Sequence, residues 1–193
     1  RSESTEPAVN HWLSATFNGI ELRTVECRYF ATQQEHAGDG VPHTVKNKGV
    51  FMWYQQEIHL PAMARGFHLI TDDVARALPC LSDCQAGMLH LQLMHTSASL
   101  TLNENTDPDV RHDLDAFVRR LVPEELPYFR HTLEGPDDMP AHVAASLMGT
   151  QLTLAVRDGR LALGTWQGIW LGEHRDQGGP RRLLATFNGC EAS

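Results

Sequence analysis

The chain has 193 residues and a formal net charge of -8, a length that suits one domain with a real hydrophobic core. Hydrophobic residues make up 41% and charged residues 21%, as in ordinary globular proteins, and the acidic balance excludes a nonspecific nucleic-acid binder, which needs a basic face. No apolar run approaches the ~18 residues that span a bilayer, and no basic-then-apolar leader opens the sequence. A cytoplasmic protein is therefore expected, with no membrane or nucleic-acid partner.

Residues 1–51 differ in character from the rest of the chain. They are polar, and a Gly/Asp/Pro/His-rich run extends from Glu35 to Asn47. Little periodicity is sustained there, which predicts an accessory extension of marginal order, with Met52 as a candidate natural start. Ala15-Thr16-Phe17-Asn18-Gly19 recurs as Ala185-Thr186-Phe187-Asn188-Gly189, but the flanks differ, so no structural repeat is inferred. The four cysteines are Cys27, Cys80, Cys84 and Cys190. The Cys80-x3-Cys84 spacing lacks a second pair, so reduced thiols are expected rather than a zinc ribbon.

From Met52 the pattern becomes regular, and residues 52–189 read as one domain with a short tail at 190–193. Met52, Tyr54, Ile58 and Leu60 share one face of a strand. A short strand follows over Gly66 to Ile70. Thr71 then reads as an N-cap, with Asp72 and Asp73 in the first helical turn, Val74 and Leu78 as the buried stripe, and Pro79 as the stop. Leu89, Leu91 and Leu93 form a strand face that His95 joins by parity. Leu100, Leu102 and Glu104 form another, and a turn at Ser97-Ala98 predicts a hairpin between the two strands.

Asp107-Pro108 is a helix start, a capping carboxylate followed by proline at the first helical position. Val110, Leu114, Phe117, Val118 and Leu121 then form an amphipathic stripe that Pro123 ends. Asp138 and Pro140 open a further short helix, with Val143 and Leu147 inward and Gly149 as the C-cap. Strands follow over 151–157, 160–163, 166–174 and 182–187. Without βαβ alternation, this order predicts an α+β fold, mainly antiparallel, with two or three short helices.

The chemistry-bearing residues cluster at the ends of these elements. His131 and His142 bracket Glu134, Asp137 and Asp138. Imidazoles beside carboxylates are what a divalent ion needs. His95, at a strand end on the inward parity, completes a candidate metal set of His95, His131 and His142, for zinc or magnesium. Glu104 lies on a buried parity too, yet in a tight hairpin it would sit more than ~10 Å from His95. Ser97 and Ser99 are better explained by turn chemistry than by a serine triad, because no nucleophile elbow is present. Trp166 and Trp170 share a strand parity, as core or as the wall of a pocket for a planar ring, with Gln167 opposite to read a polar ligand edge. Arg175, Arg181 and Arg182 are the concentrated basic group near these motifs and the candidate phosphate-binding residues.

His95-Thr96-Ser97-Ala98, Asn103-Glu104-Asn105, Asp107-Pro108-Asp109-Val110, Glu134-Gly135, Ala141-His142 and Leu163-Gly164-Thr165-Trp166-Gln167 resemble the motifs of the YjbQ family, in order and at plausible spacing. The resemblance implies a compact two-sheet fold, a homotrimer, and a secondary thiamine-phosphate synthase activity. That reaction joins hydroxymethylpyrimidine pyrophosphate to thiazole phosphate. On this reading Glu104, Asp107, Asp138 and Gln167 are catalytic, a divalent ion stabilises the leaving pyrophosphate, and the three arginines hold phosphate. The alternatives are a metal-dependent hydrolase, in which the histidines help activate water, and a non-catalytic metal- or ligand-binding trimer.

Overall fold

The computed structural model describes the backbone of residues 11–17, 20–30 and 50–191 and the side chains of 53–190. The strands are β1 (His11–Phe17), β2 (Ile20–Phe30), β3 (Val50–Leu60), β4 (Gly66–Leu69), β5 (Cys84–Leu93), β6 (Ala98–Glu104), β7 (Gln151–Arg157), β8 (Arg160–Leu161), β9 (Gln167–Glu173) and β10 (Arg181–Glu191). The helices are α1 (Thr71–Ala77), α2 (Pro108–Leu121) and α3 (Asp138–Met148). The larger sheet runs β1-β2-β3-β10-β5-β7-β8, the smaller β4-β9-β6, and every strand pair is antiparallel. The expected α+β class holds. Of residues 1–51, β1 and β2 extend the larger sheet through the β2–β3 pairing, Val25↔Gln55 to Phe30↔Val50. The remainder of that segment, including the Glu35–Asn47 run, lies outside the described residues.

Alternation drives the packing of the two sheets. Leu89, Leu91 and Leu93 of β5, Ile58 and Leu60 of β3, and Leu183, Ala185 and Phe187 of β10 all point to one side and are buried. Leu100, Ile169 and Leu171 of the smaller sheet meet them, with Ile70, Val74 and Leu78 from the α1 region. Each of the leucines, isoleucines, Val74 and Phe187, fully removed from water, contributes roughly 1.5–3 kcal/mol, so this seam outweighs any local preference in the connecting turns. On the other side of the smaller sheet α2 packs on β4 and α3 on β6.

Several expectations change. β5 and β6 lie in different sheets, so residues 94–97 cross between layers and no hairpin forms at Ser97-Ala98. The apolar side chains of each strand are needed in the seam from opposite sheets, which pairing within one sheet would not allow. The N-cap of α1 is Ile70. The Thr71 hydroxyl instead accepts the Ile169 amide at 2.9 Å, tying α1 to β9. In α2 the start is as expected, with Asp107 accepting from the Asp109 amide at 2.9 Å, but Phe117 and Leu121 are exposed. In α3 the inward face is Ala141, Ala144 and Ala145, while Leu147 is exposed. Small residues let this helix come close to β6, and Gly149 (φ 93°) ends it in a conformation that suits glycine.

One polar pair crosses the seam. Arg181 at the start of β10 donates to both carboxylate oxygens of Glu173 at the end of β9, each at 2.7 Å, and to Ser97 Oγ at 3.2 Å. Both charged side chains are buried. The bidentate geometry and the added hydroxyl contact are what a buried pair needs to offset its desolvation.

Candidate functional site

The N-terminal turn of α3 is the centre of the site. Asp138 is buried there, and His142 follows one turn later on the same helical face, because residues four apart stack on a helix. The loop before α3 returns His131 to the same point. His131 Nε2–H donates to Asp138 Oδ2 at 2.6 Å, and His142 Nε2 lies 3.3 Å from that same oxygen. The two imidazole rings are 5.5 Å apart between centroids. His131, Asp138 and His142 offer one ligand atom each, all within 4.8 Å of one another.

His142 Nδ1 lies 3.0 Å from the Thr96 carbonyl. A carbonyl only accepts, so Nδ1 carries the proton and, in the neutral ring, Nε2 presents a lone pair. This fixed tautomer with an outward lone pair is how a metal-binding histidine is held. Protein ligands on a tetrahedral zinc sit about 3.3 Å apart, from bond lengths near ~2.0 Å. The His142–Asp138 separation of 3.3 Å already matches this. The His131–Asp138 separation of 2.6 Å is that of a charge-assisted hydrogen bond, and His131 would have to withdraw by roughly 0.7 Å to admit an ion. Its side chain is 46% exposed, which gives it room to do so. The donor set therefore fits a divalent ion with further positions open to solvent or ligand.

Arg175 supports the acid from behind. Its Nε donates to Asp137 Oδ2 at 2.9 Å, Nη1 to Asp138 Oδ1, and Nη2 to the Glu134 carbonyl at 2.8 Å. Burial opposes ionisation of Asp138, but the His131 hydrogen bond and the charges of Arg175 and His142 outweigh it and hold its pKa below the ordinary 3.8. Asp137 is likewise lowered: burial is overcome by the Asp176 amide and by Arg175. Arg175 is raised above its ordinary value, its own burial being overcome by Asp137 and then Asp138. Both carboxylates are thus ionised at neutral pH and aimed at cations.

The other candidates separate. His95 does not join the His131–Asp138–His142 group; its Nε2 accepts the Arg182 amide at 2.8 Å. Burial and then the charges of Arg181 and Arg182 lower its pKa below 6.5, so it is neutral, with its proton on Nδ1. Thr96, its neighbour, is what reaches His142. Glu104, Asp107 and Gln167 lie near the far end of β6 and β9, since Glu104 pairs with Gln167 while Ala98 pairs with Glu173. Six residues of strand, about 20 Å, separate Glu104 from Ala98, and His142 reaches the Thr96 carbonyl at the Ala98 end. At the Glu104 end Asp107 caps α2, and Gln167 Oε1 accepts the Gly164 amide at 2.9 Å. These are local structural duties. Of the four expected catalytic residues, Asp138 alone belongs to the cluster.

Each of the three arginines, the expected phosphate-binding residues, has a carboxylate partner. Arg175 is engaged by Asp137 and Asp138, Arg181 by Glu173, and Arg182 by Glu57 at 3.2 Å. Trp166 and Trp170 also part: Trp166 is exposed and lies just before β9, while Trp170 is fully buried beside Phe67. Sequence reasoning passed over His174. It is 5% exposed, shares a 2.9 Å hydrogen bond with Ser99 Oγ, and lies edge-on to Phe67. Burial outweighs the pull of Glu173 and, with Arg65, takes its pKa down to about 4. The available signal was strand parity: His174 falls on the same side of β9 as Trp170.

A two-sheet α+β chain with two histidines and an aspartate converging at a helix start defines a class with a candidate metal centre. The chain belongs to the UPF0047 protein YjbQ-like family, whose model matches residues 56–190. It is 55% identical over 138 residues to the UPF0047 protein YjbQ of Escherichia coli O157:H7 and 56% identical over 138 residues to that of Salmonella typhimurium. Each alignment covers 72% of this chain and 99% of the relative. Among solved structures, a conserved hypothetical protein from Thermus thermophilus superposes with a TM-score of 0.59 at 35% identity, covering 67% of this chain and 96% of that one. A YbjQ-like protein of unknown function from Sulfolobus solfataricus gives 0.64 at 23% identity, over 72% and 99%, and shares the fold. No described helix is long and apolar enough to cross a membrane.

Proposed function

We propose that this chain is a metal-dependent hydrolase, with His131, Asp138 and His142 as its metal ligands. The observation that carries this reading is the convergence of two imidazole Nε2 atoms on one oxygen of a buried aspartate, with the His142 tautomer set by Thr96. A bound divalent ion would supply Lewis acidity to a substrate oxygen and bring the ionisation of water toward neutral pH. Asp138 supplies the negative charge, and Arg175 keeps it ionised and oriented. His142 keeps its lone pair outward because its other nitrogen is anchored, and the exposed His131 is able to adjust to an ion.

The second reading is the transferase joining hydroxymethylpyrimidine pyrophosphate to thiazole phosphate. The family resemblance favours it. The pairing of Arg175, Arg181 and Arg182 with carboxylates weighs against it, since a leaving pyrophosphate needs uncommitted donors. A trimer is part of both readings.

The test begins with calorimetric titration of the chelator-treated full chain with zinc, then magnesium. One ion per chain is expected, with affinity falling at least ~10-fold in His142→Ala, as it does when a ligand or a group that orients one is removed. Product analysis of the loaded protein on phosphate esters, and on the pyrimidine and thiazole pair, then separates hydrolysis from transfer. Absence of stoichiometric binding by either ion defeats the metal reading. Sedimentation of the loaded protein checks the trimer, which a monomeric mass at micromolar concentration would exclude.

A further inference from the structure

We propose that Arg111 of α2 and Trp170 of β9 form a receptor for an oxyanion, a phosphate or carboxylate group, distinct from the His131–Asp138–His142 group. Two buried side-chain nitrogens have no hydrogen-bond partner among the described residues: Arg111 Nη1 and Trp170 Nε1. The two side chains are neighbours, the guanidinium carbon lying over the indole ring at 5.7 Å from its centroid. A guanidinium and an indole N–H can each only donate. Neither can satisfy the other, so the group that satisfies them is an acceptor.

Unmet buried donors are costly, and a cation more so than a neutral group. The residues best placed to answer Arg111 from its own helix are Asp107 and Asp115, four positions to either side. Both make their described contacts elsewhere: Asp107 accepts the Asp109 amide at 2.9 Å and Asp115 accepts Arg119 Nε at 2.7 Å. Among the described residues no carboxylate is paired with this guanidinium, which lies over an aromatic face. A water would offer an acceptor oxygen but no charge. An oxyanion offers both, and the planar fork of arginine matches its paired oxygens. The cation–π contact places the guanidinium over the Trp170 ring.

The placement separates this receptor from the candidate metal centre. Trp170 lies five residues before Arg175, about 16 Å along an extended chain. The inference does not depend on metal binding, and its test is made with metal absent.

The full chain, treated with chelator, is titrated with inorganic phosphate at constant ionic strength, with acetate in a parallel series. Intrinsic tryptophan fluorescence and the unfolding temperature are followed. The expected result is a saturable response to at least one of the two, with an unfolding temperature that rises with ligand concentration. Arg111→Met, at a half-buried position and of similar length, should weaken the apparent Kd at least ~10-fold while remaining folded, and Trp170→Phe should weaken it several-fold. Saturation by phosphate alone identifies a phosphate-bearing ligand, and saturation by acetate alone a carboxylate; either supports the receptor. No saturable response to either anion, as a buried water would give, overturns it. So does an equal response in Arg111→Met.

Discussion

Acidification should expose the cost of keeping His174 neutral. Its pKa in the folded chain is about 4, against an ordinary 6.5, with burial the largest cause. As pH falls the unfolded chain takes up this proton first. The contribution to stability is therefore complete above pH 6.5 and is lost progressively as pH falls toward 4, below which both states are protonated. A shift of about 2.5 units corresponds to about 3 kcal/mol over the whole window, of which about 2 kcal/mol is lost between pH 7 and pH 5. For a chain of this size that is roughly 4–8 °C in unfolding temperature. The assay is thermal unfolding of the full chain and of His174→Gln across that range. Glutamine places an amide nitrogen near the position of Nε2, so the contact with Ser99 is retained while the titration is removed. His95 is also lowered and loses stability in the same direction, so the informative quantity is the difference between the two proteins. The variant should show the smaller loss. Parallel losses in both proteins, or a His174 that titrates at pH 6 or above by NMR, would refute the reasoning.

Asp138→Asn removes the charge that Arg175 and His131 share and should destabilise the chain by on the order of 3 kcal/mol, because it leaves a mostly buried guanidinium short of its counter-charge; chemical denaturation measures this, and a change below about 1 kcal/mol would contradict it. Gly172→Ala places a Cβ 2.4 Å from Ser99 Oγ and 2.9 Å from both His174 and Phe67, so a loss of about 1–3 kcal/mol is expected, read from the denaturant midpoint; an unchanged midpoint would show that this layer is loosely packed.

Periodicity made the larger sheet legible. Leu89, Leu91 and Leu93 alternate cleanly because one face of β5 is buried and the other is not. The start of α2 was legible because Asp107-Pro108 is a local capping signal that needs no tertiary partner. Helix faces were harder. In α3 the largest apolar side chain points outward, because the close approach to β6 selects Ala141, Ala144 and Ala145, and size is a poor guide when proximity is the constraint. The Ser97-Ala98 crossing was missed because a turn signal does not say which sheet receives the next strand. In the site, helical spacing linked Asp138 to His142, and His131 was near enough in sequence to be caught with them. His95 was assigned to the cluster because parity cannot foresee that the Arg182 amide takes its Nε2. The partners of the arginines were hidden for a related reason: sequence counts charges, but the carboxylates come from distant strands, as Glu57 does for Arg182.

The Glu173–Arg181 pair has a consequence for how this chain can change over generations. One member ends a strand of the smaller sheet and the other begins a strand of the larger, and Gly178 leaves no room for a methyl group beside them, since a Cβ there would lie 2.4 Å from each side chain. Losing either member alone strands a buried charge, at a cost of about 3–5 kcal/mol, comparable with the whole margin of a small domain. Replacing both with apolar side chains of matching volume costs little by comparison. Positions 173 and 181 are therefore joined by a valley that single substitutions cannot easily cross. Descendants of this chain should retain both residues or have exchanged both.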